Sequence, residues 1–96
     1  MKTYIIVRRD LNMRRGKEIA QACHAVRGLG AVDSFAVVGL RANSLADLMT
    51  AASRATVNGW PLYIVRDAGL TEVEPGTATC MAVYAPEGSF DDFRLY

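Results

Sequence analysis

Tyr4-Ile5-Ile6-Val7 is apolar without a break, short and rich in β-branched residues. That pattern suits a strand covered on both faces. A chain that opens on such a strand needs structure on each side of its sheet, which favours an α/β architecture. The stretch "GKEIAQACHAVRG" that follows is rich in helix formers, and Ile19, Ala22, Cys23 and Val26 recur at the spacing of one helical face. Those four are the expected core contacts. Lys17, Gln21 and His24 align on a second face, and Gly28 and Gly30 stop the helix.

Phe35 to Leu40 reads as a second strand, and Leu45, Leu48, Met49, Ala52 and Ala55 mark the apolar face of a second helix. Ser44 and Asp47 have capping-box spacing at its start, and Gly59 with Pro61 ends it. Leu62 to Val65 is a third strand. After the Pro75-Gly76 turn, Thr79 to Ala85 is a fourth. The order predicts a three-layer α/β/α domain over residues 1–96, with three parallel strands and a last antiparallel strand in one four-stranded mixed sheet. In such sheets ligands gather beyond the carboxyl ends of the parallel strands. Arg8 to Lys17 follows the first strand and Asp67 to Thr71 the third, so both polar segments should face one edge.

No uninterrupted apolar run approaches the roughly 18 residues of a membrane span. The start carries no signal-peptide pattern, and Cys23 and Cys80 have no CxxC or Cys/His ligand spacing. The chain is therefore expected to be cytoplasmic, with reduced thiols, no metal and no cofactor. Its net charge of +1 conceals an asymmetry. Lys2, Arg8, Arg9, Arg14, Arg15 and Lys17 face the single acid Asp10 in the first seventeen residues, giving +5 there and −4 in the remainder. A polyanion should approach the basic head, although an arginine-rich solvated loop would look the same.

"VRRDLNMRRGKEIAQACHA" resembles the opening of the type 2 peptidyl-tRNA hydrolases, a strand followed by R-x-D-L-x-M-x-x-G-K and A-Q-x-x-H-A. "RDAGLTEVEPGTAT" resembles that family's second signature, D-A-G-x-T-x-[IVL]-x-P-G-[ST]-x-T, and the closing "FRLY" resembles its ending. The likeness covers roughly residues 4–26 and 35–96. The family has a further helix before its second strand, whereas ten residues, "AVRGLGAVDS", separate His24 from Phe35 here, so the first inter-strand helical region is shortened.

The resemblance implies hydrolysis of the ester between a peptide and the 3′ ribose of tRNA, with peptidyl-tRNA as partner. Metal-independent ester cleavage needs an oriented water and a stabilised oxyanion. Lys17, Asp67, Thr71 and Thr79 are the implied catalytic set, with Gln21 and His24 beside them. Arg8, Arg9, Arg14 and Arg15, together with Lys17, are the expected RNA contacts, since phosphates can be held without reading bases. Plainer readings stand beside these. Asp67 also suits an Asx turn, Thr71 and Thr79 suit turn and strand positions, and His24 suits a packed helix residue bonded to a carbonyl. Trp60 and Tyr63 suit either core packing or stacking on a terminal base. A non-catalytic RNA-binding module on the same scaffold is the alternative function, and a homodimer is among the assembly states left open.

Overall fold

The two most apolar runs of the chain take the two central places in the sheet. In the computed structural model, which describes residues 1–69 and 73–96, the elements are β1 (Lys2–Arg8), α1 (Arg15–Leu29), β2 (Val37–Ala42), α2 (Leu45–Asn58), β3 (Leu62–Arg66) and β4 (Ala78–Ala85). The strand order is β2-β1-β4-β3. β1 pairs with β2 in parallel and with β4 antiparallel, and β3 pairs with β4 antiparallel.

The α/β architecture is as expected, but the three parallel strands do not form one block. β3 runs in the direction of β1 and β2 yet touches neither, because β4 lies between them. Burial explains the insertion. Seven of the eight residues of β4 are buried, so it needs a neighbour on each side, whereas β3 has one fully buried residue and tolerates the edge. The boundaries of β2 also differ, starting at Val37 where the sequence suggested Phe35, whose side chain is fully exposed.

The faces of the sheet are covered by different helices. Tyr4 and Ile6, Leu40 and Ala42, and Met81, Val83 and Ala85 pack on Leu48, Ala51, Ala52 and Ala55 of α2, with Phe90 closing the cluster. On the opposite face Val7, Val65, Cys80 and Ala82 meet Ala25 of α1 and Met13 of the connection before it. α2 starts and stops as its residues dictate. The Ser44 hydroxyl accepts from the Asp47 N–H at 3.0 Å, the Asp47 carboxylate accepts from the Asn43 N–H at 2.9 Å, and Gly59 takes the left-handed conformation at φ 71°.

α1 departs from its sequence reading. The predicted core face of Ile19, Ala22, Cys23 and Val26 is largely turned away from the sheet, with Ile19 65% exposed and Val26 37%. Gln21 and Ala25 are buried instead. The reason lies in what the sheet presents. The Tyr63 ring rises beneath the end of α1, and a Cβ on Gly28 would sit 2.2 Å from it, so the helix can approach only along its Gln21, Ala25 and Gly28 side. The tail then returns to the outer edge of β2, where Leu95 bridges Leu40, the Arg41 N–H donates to Arg94 O and the Tyr96 N–H donates to Gly39 O. Among the described residues, no helix is long and apolar enough to cross a membrane.

Candidate functional site

Asp67 is the residue on which the polar groups converge. It follows β3 directly, its N–H donates to Thr77 O at 2.8 Å and its carbonyl accepts from Gly76 N–H at 2.7 Å, so its backbone is pinned on both sides. The residue is only 6% exposed. Its Oδ1 forms an ion pair with Lys17 Nζ and accepts from Gln21 Nε2 at 3.3 Å, while Oδ2 accepts from the Gly69 N–H at 2.6 Å. The last contact is an Asx turn. Gly69 permits it, since its φ is +77° and a Cβ there would collide with the Pro75 ring. One oxygen of the carboxylate thus makes the turn while the other meets Lys17 and Gln21.

Gln21 ties this carboxylate to β4. Its Nε2 also donates to Thr79 Oγ1 at 3.0 Å, and the Thr79 hydroxyl, wholly buried, lies 3.4 Å from Val65 O as donor. Lys17 stands in the first turn of α1, where a cation opposes the helix dipole. The ion pair with Asp67 supplies the reason for its placement. That bond, ahead of the Gly69 N–H, holds the Asp67 carboxyl below the usual carboxylate range, and burial opposes the shift. A carboxylate offers about four acceptor positions and three are occupied here among the described residues, leaving room for a water or a substrate hydroxyl.

The pair opens into a cleft of about 410 Å³ lined by Lys17, Gln21, His24, Tyr63, Val65, Arg66, Asp67 and Ala68. His24 is exposed on its wall and makes no side-chain hydrogen bond among the described residues, so the carbonyl-bonded packing role is not the one it takes. Thr71 lies outside the described residues. Tyr63 lines the cleft, whereas Trp60 packs edge-on to Phe90 in the α2-side core, 6.0 Å between ring centres. Arg66 is a cleft residue that the sequence reading passed over, although its position beside Asp67 at the end of a strand was the available signal. Burial pushes the Cys80 thiol up to about 12, which makes it inert as a nucleophile.

The basic head divides. Arg8 is 9% exposed and its fork is spent on the Asp10 carboxylate, at 3.1 and 2.7 Å, and on Ala78 O at 3.1 Å. It joins β1 to β4. Arg9, Arg14 and Arg15 are exposed. Arg9 lies over the Tyr96 ring at 4.9 Å, and with Arg15 it lines a separate groove between α1 and the β1–β2 side of the sheet.

This is a three-layer α/β/α domain whose strand-end cleft pairs a buried carboxylate with a lysine, and an amide ties that carboxylate to a buried hydroxyl, groups of the kind that can orient a water and stabilise an oxyanion. The family model "Peptidyl-tRNA hydrolase PTH2" matches residues 1–35 and 32–93. Curated relatives named peptidyl-tRNA hydrolase include one from Aeropyrum pernix, 41% identical over 85% of this chain and 81% of its own. Another, from Haloquadratum walsbyi, is 40% identical over 86% and 84%, and one from Methanopyrus kandleri is 40% identical over 85% and 82%. The chain belongs to the peptidyl-tRNA hydrolase PTH2 family. Its two matched segments meet at residues 32–35, in the α1–β2 connection where the family's further helix was expected to be missing.

Proposed function

We propose that the protein hydrolyses the ester joining a peptide to the 3′ ribose of tRNA, in the cytoplasm and without a metal ion. The observation that carries this reading is the Lys17–Asp67 pair opening into a solvent cleft while Gln21 joins it to Thr79. Asp67 orients the attacking water through its remaining acceptor position. Because its carboxyl is held below the usual range it is a weak base, so its share is positioning more than proton removal. Lys17 supplies positive charge to the oxyanion as it develops and gives a proton to the leaving 3′ oxygen, and the proton lost by the attacking water passes by way of Asp67 back to Lys17. Gln21 and Thr79 keep the carboxylate from rotating, and His24 lines the path by which the substrate enters. Thr71 keeps its place in the set by family resemblance. Arg9, Arg14 and Arg15 carry the tRNA phosphates. A homodimer is the assembly this reading favours, supported by the apolar residues that α1 leaves exposed.

The test is single-turnover release of an N-blocked aminoacyl group from tRNA with a chelator present. Wild type should cleave, and Lys17→Ala and Asp67→Asn should each lose about 100-fold or more, the size typical of removing an oxyanion donor. Clean wild-type protein that binds tRNA and leaves the ester intact would sink the proposal.

A further inference from the structure

The two edges of the sheet are treated differently. The outer edge of β2 is covered by the chain's own tail, through the bonds of Gly39 and Arg41 to Tyr96 and Arg94. Among the described residues the outer edge of β3 has no neighbouring strand. Tyr84 N–H donates to Pro61 O at 3.0 Å, and in an antiparallel pair the bonded residues alternate. Tyr63 and Val65 therefore aim their backbone groups at β4, while Leu62 and Ile64 turn their N–H and C=O outward. Among the described residues nothing meets those groups. An uncovered edge is a template for another strand, and proteins normally block one.

This open edge borders the cleft. Tyr63 and Val65 of β3 line the same space as Lys17, Gln21 and His24, and β3 leads straight into Asp67. The Tyr63 ring is held against α1 at Gly28, which fixes a wall beside the edge.

We infer that the peptide part of the substrate binds as an added strand on the free edge of β3, held by main-chain hydrogen bonds to Ile64 and Leu62. The inference rests on the hydrolase reading and adds the subsite that receives the peptide. Its polarity follows from geometry. The ester carbonyl must reach Lys17 and Asp67, at the carboxyl end of β3, so the peptide runs parallel to β3 with its C-terminus at that end. Ile64 lies three residues before Asp67, about 10 Å along a strand. The first main-chain bonds therefore form at about the third or fourth residue from the ester. Recognition through the main chain accepts any side chain, as an enzyme serving every interrupted peptide requires.

The test uses peptidyl-tRNAs carrying one, two, four and six residues, with single backbone N-methyl groups placed in turn on the third, fourth and fifth residues. KM should fall by about fivefold for each main-chain bond gained, between two and six residues, with kcat little changed. N-methylation should return KM toward the short-substrate value at alternate positions, because successive N–H groups of an added strand point to opposite sides. Side-chain changes at the same residues should not. Cleavage with a KM independent of length, or a length effect indifferent to N-methylation, would overturn the inference alone. Absence of cleavage at every length would overturn the hydrolase reading and the inference with it.

Discussion

At the scale of single residues, Asp67 sets how the site responds to acid. Its carboxyl is held below its ordinary value, chiefly by Lys17, so the folded state binds its proton less readily than the unfolded state does. The stability this contributes is fully present above the unfolded value of about 3.9 and is lost as pH falls through the lower folded value. Asp67→Asn should therefore melt below wild type at neutral pH, and the gap should close as pH falls below about 4. Thermal melts of both proteins from neutral pH to pH 2 check this, and a gap that persists unchanged in acid would show that the ion pair is not its source. Much of this chemistry was legible in the sequence. A lysine in the first turn of a helix opposes the dipole and needs a partner, and an aspartate past a buried strand is poised to be that partner. What spacing alone could not give was Gln21 as the brace between Asp67 and Thr79, because that contact joins three elements whose relative placement is tertiary.

At the scale of elements, α1 shows why periodicity misleads when a helix carries two candidate faces. Ile19, Ala22, Cys23 and Val26 form the more apolar stripe, yet the helix docks through Gln21, Ala25 and Gly28. Two constraints outweigh the burial of the stripe: Gln21 must reach Thr79, and the Tyr63 ring permits close approach only over a residue without a side chain. Neither constraint is visible until β3 is known to lie under the helix. Gly28 is then a packing glycine inside α1, and Gly30, the C-cap, is the stop signal. Gly28→Ala should destabilise by about 1–3 kcal/mol through overpacking, offset by up to about 1 kcal/mol from better helix propensity. In a Tyr63→Ala background the collision is gone, and the same substitution should be neutral or stabilising. Denaturant unfolding of the four proteins of this cycle gives the coupling directly, and additive effects would show that the ring and the glycine do not meet.

At the scale of the whole molecule, the charge asymmetry was plain in the sequence while its use was not. Six cations stand in the first seventeen residues, but the fold assigns Arg8 to Asp10 and Ala78 O, Lys17 to Asp67, and Lys2 to Glu87. The strand order shows the same limit. The sequence reveals four strands and their directions, whereas the insertion of β4 between β1 and β3 depends on which strand most needs two neighbours. In the proposed contact with tRNA the surface-exposed Arg9, Arg14 and Arg15 supply the charge, Arg9 while also donating to Tyr96 O, so the salt dependence of binding should be shallow for so basic a segment. At roughly 0.7 to 0.9 per phosphate, three contacts give a slope of log affinity against log salt of about −2 to −3. Arg14→Ala with Arg15→Ala should weaken tRNA binding and flatten that slope by about 1.5 to 2. Arg8→Ala should instead leave the slope in place and lower the melting temperature, since it frees Asp10 and a buried carbonyl. Affinities measured between about 50 and 200 mM salt separate the two kinds of arginine. A slope unchanged in the double variant would remove the basic head from the tRNA contact, and a slope flattened by Arg8→Ala in a protein of wild-type stability would return that residue to it.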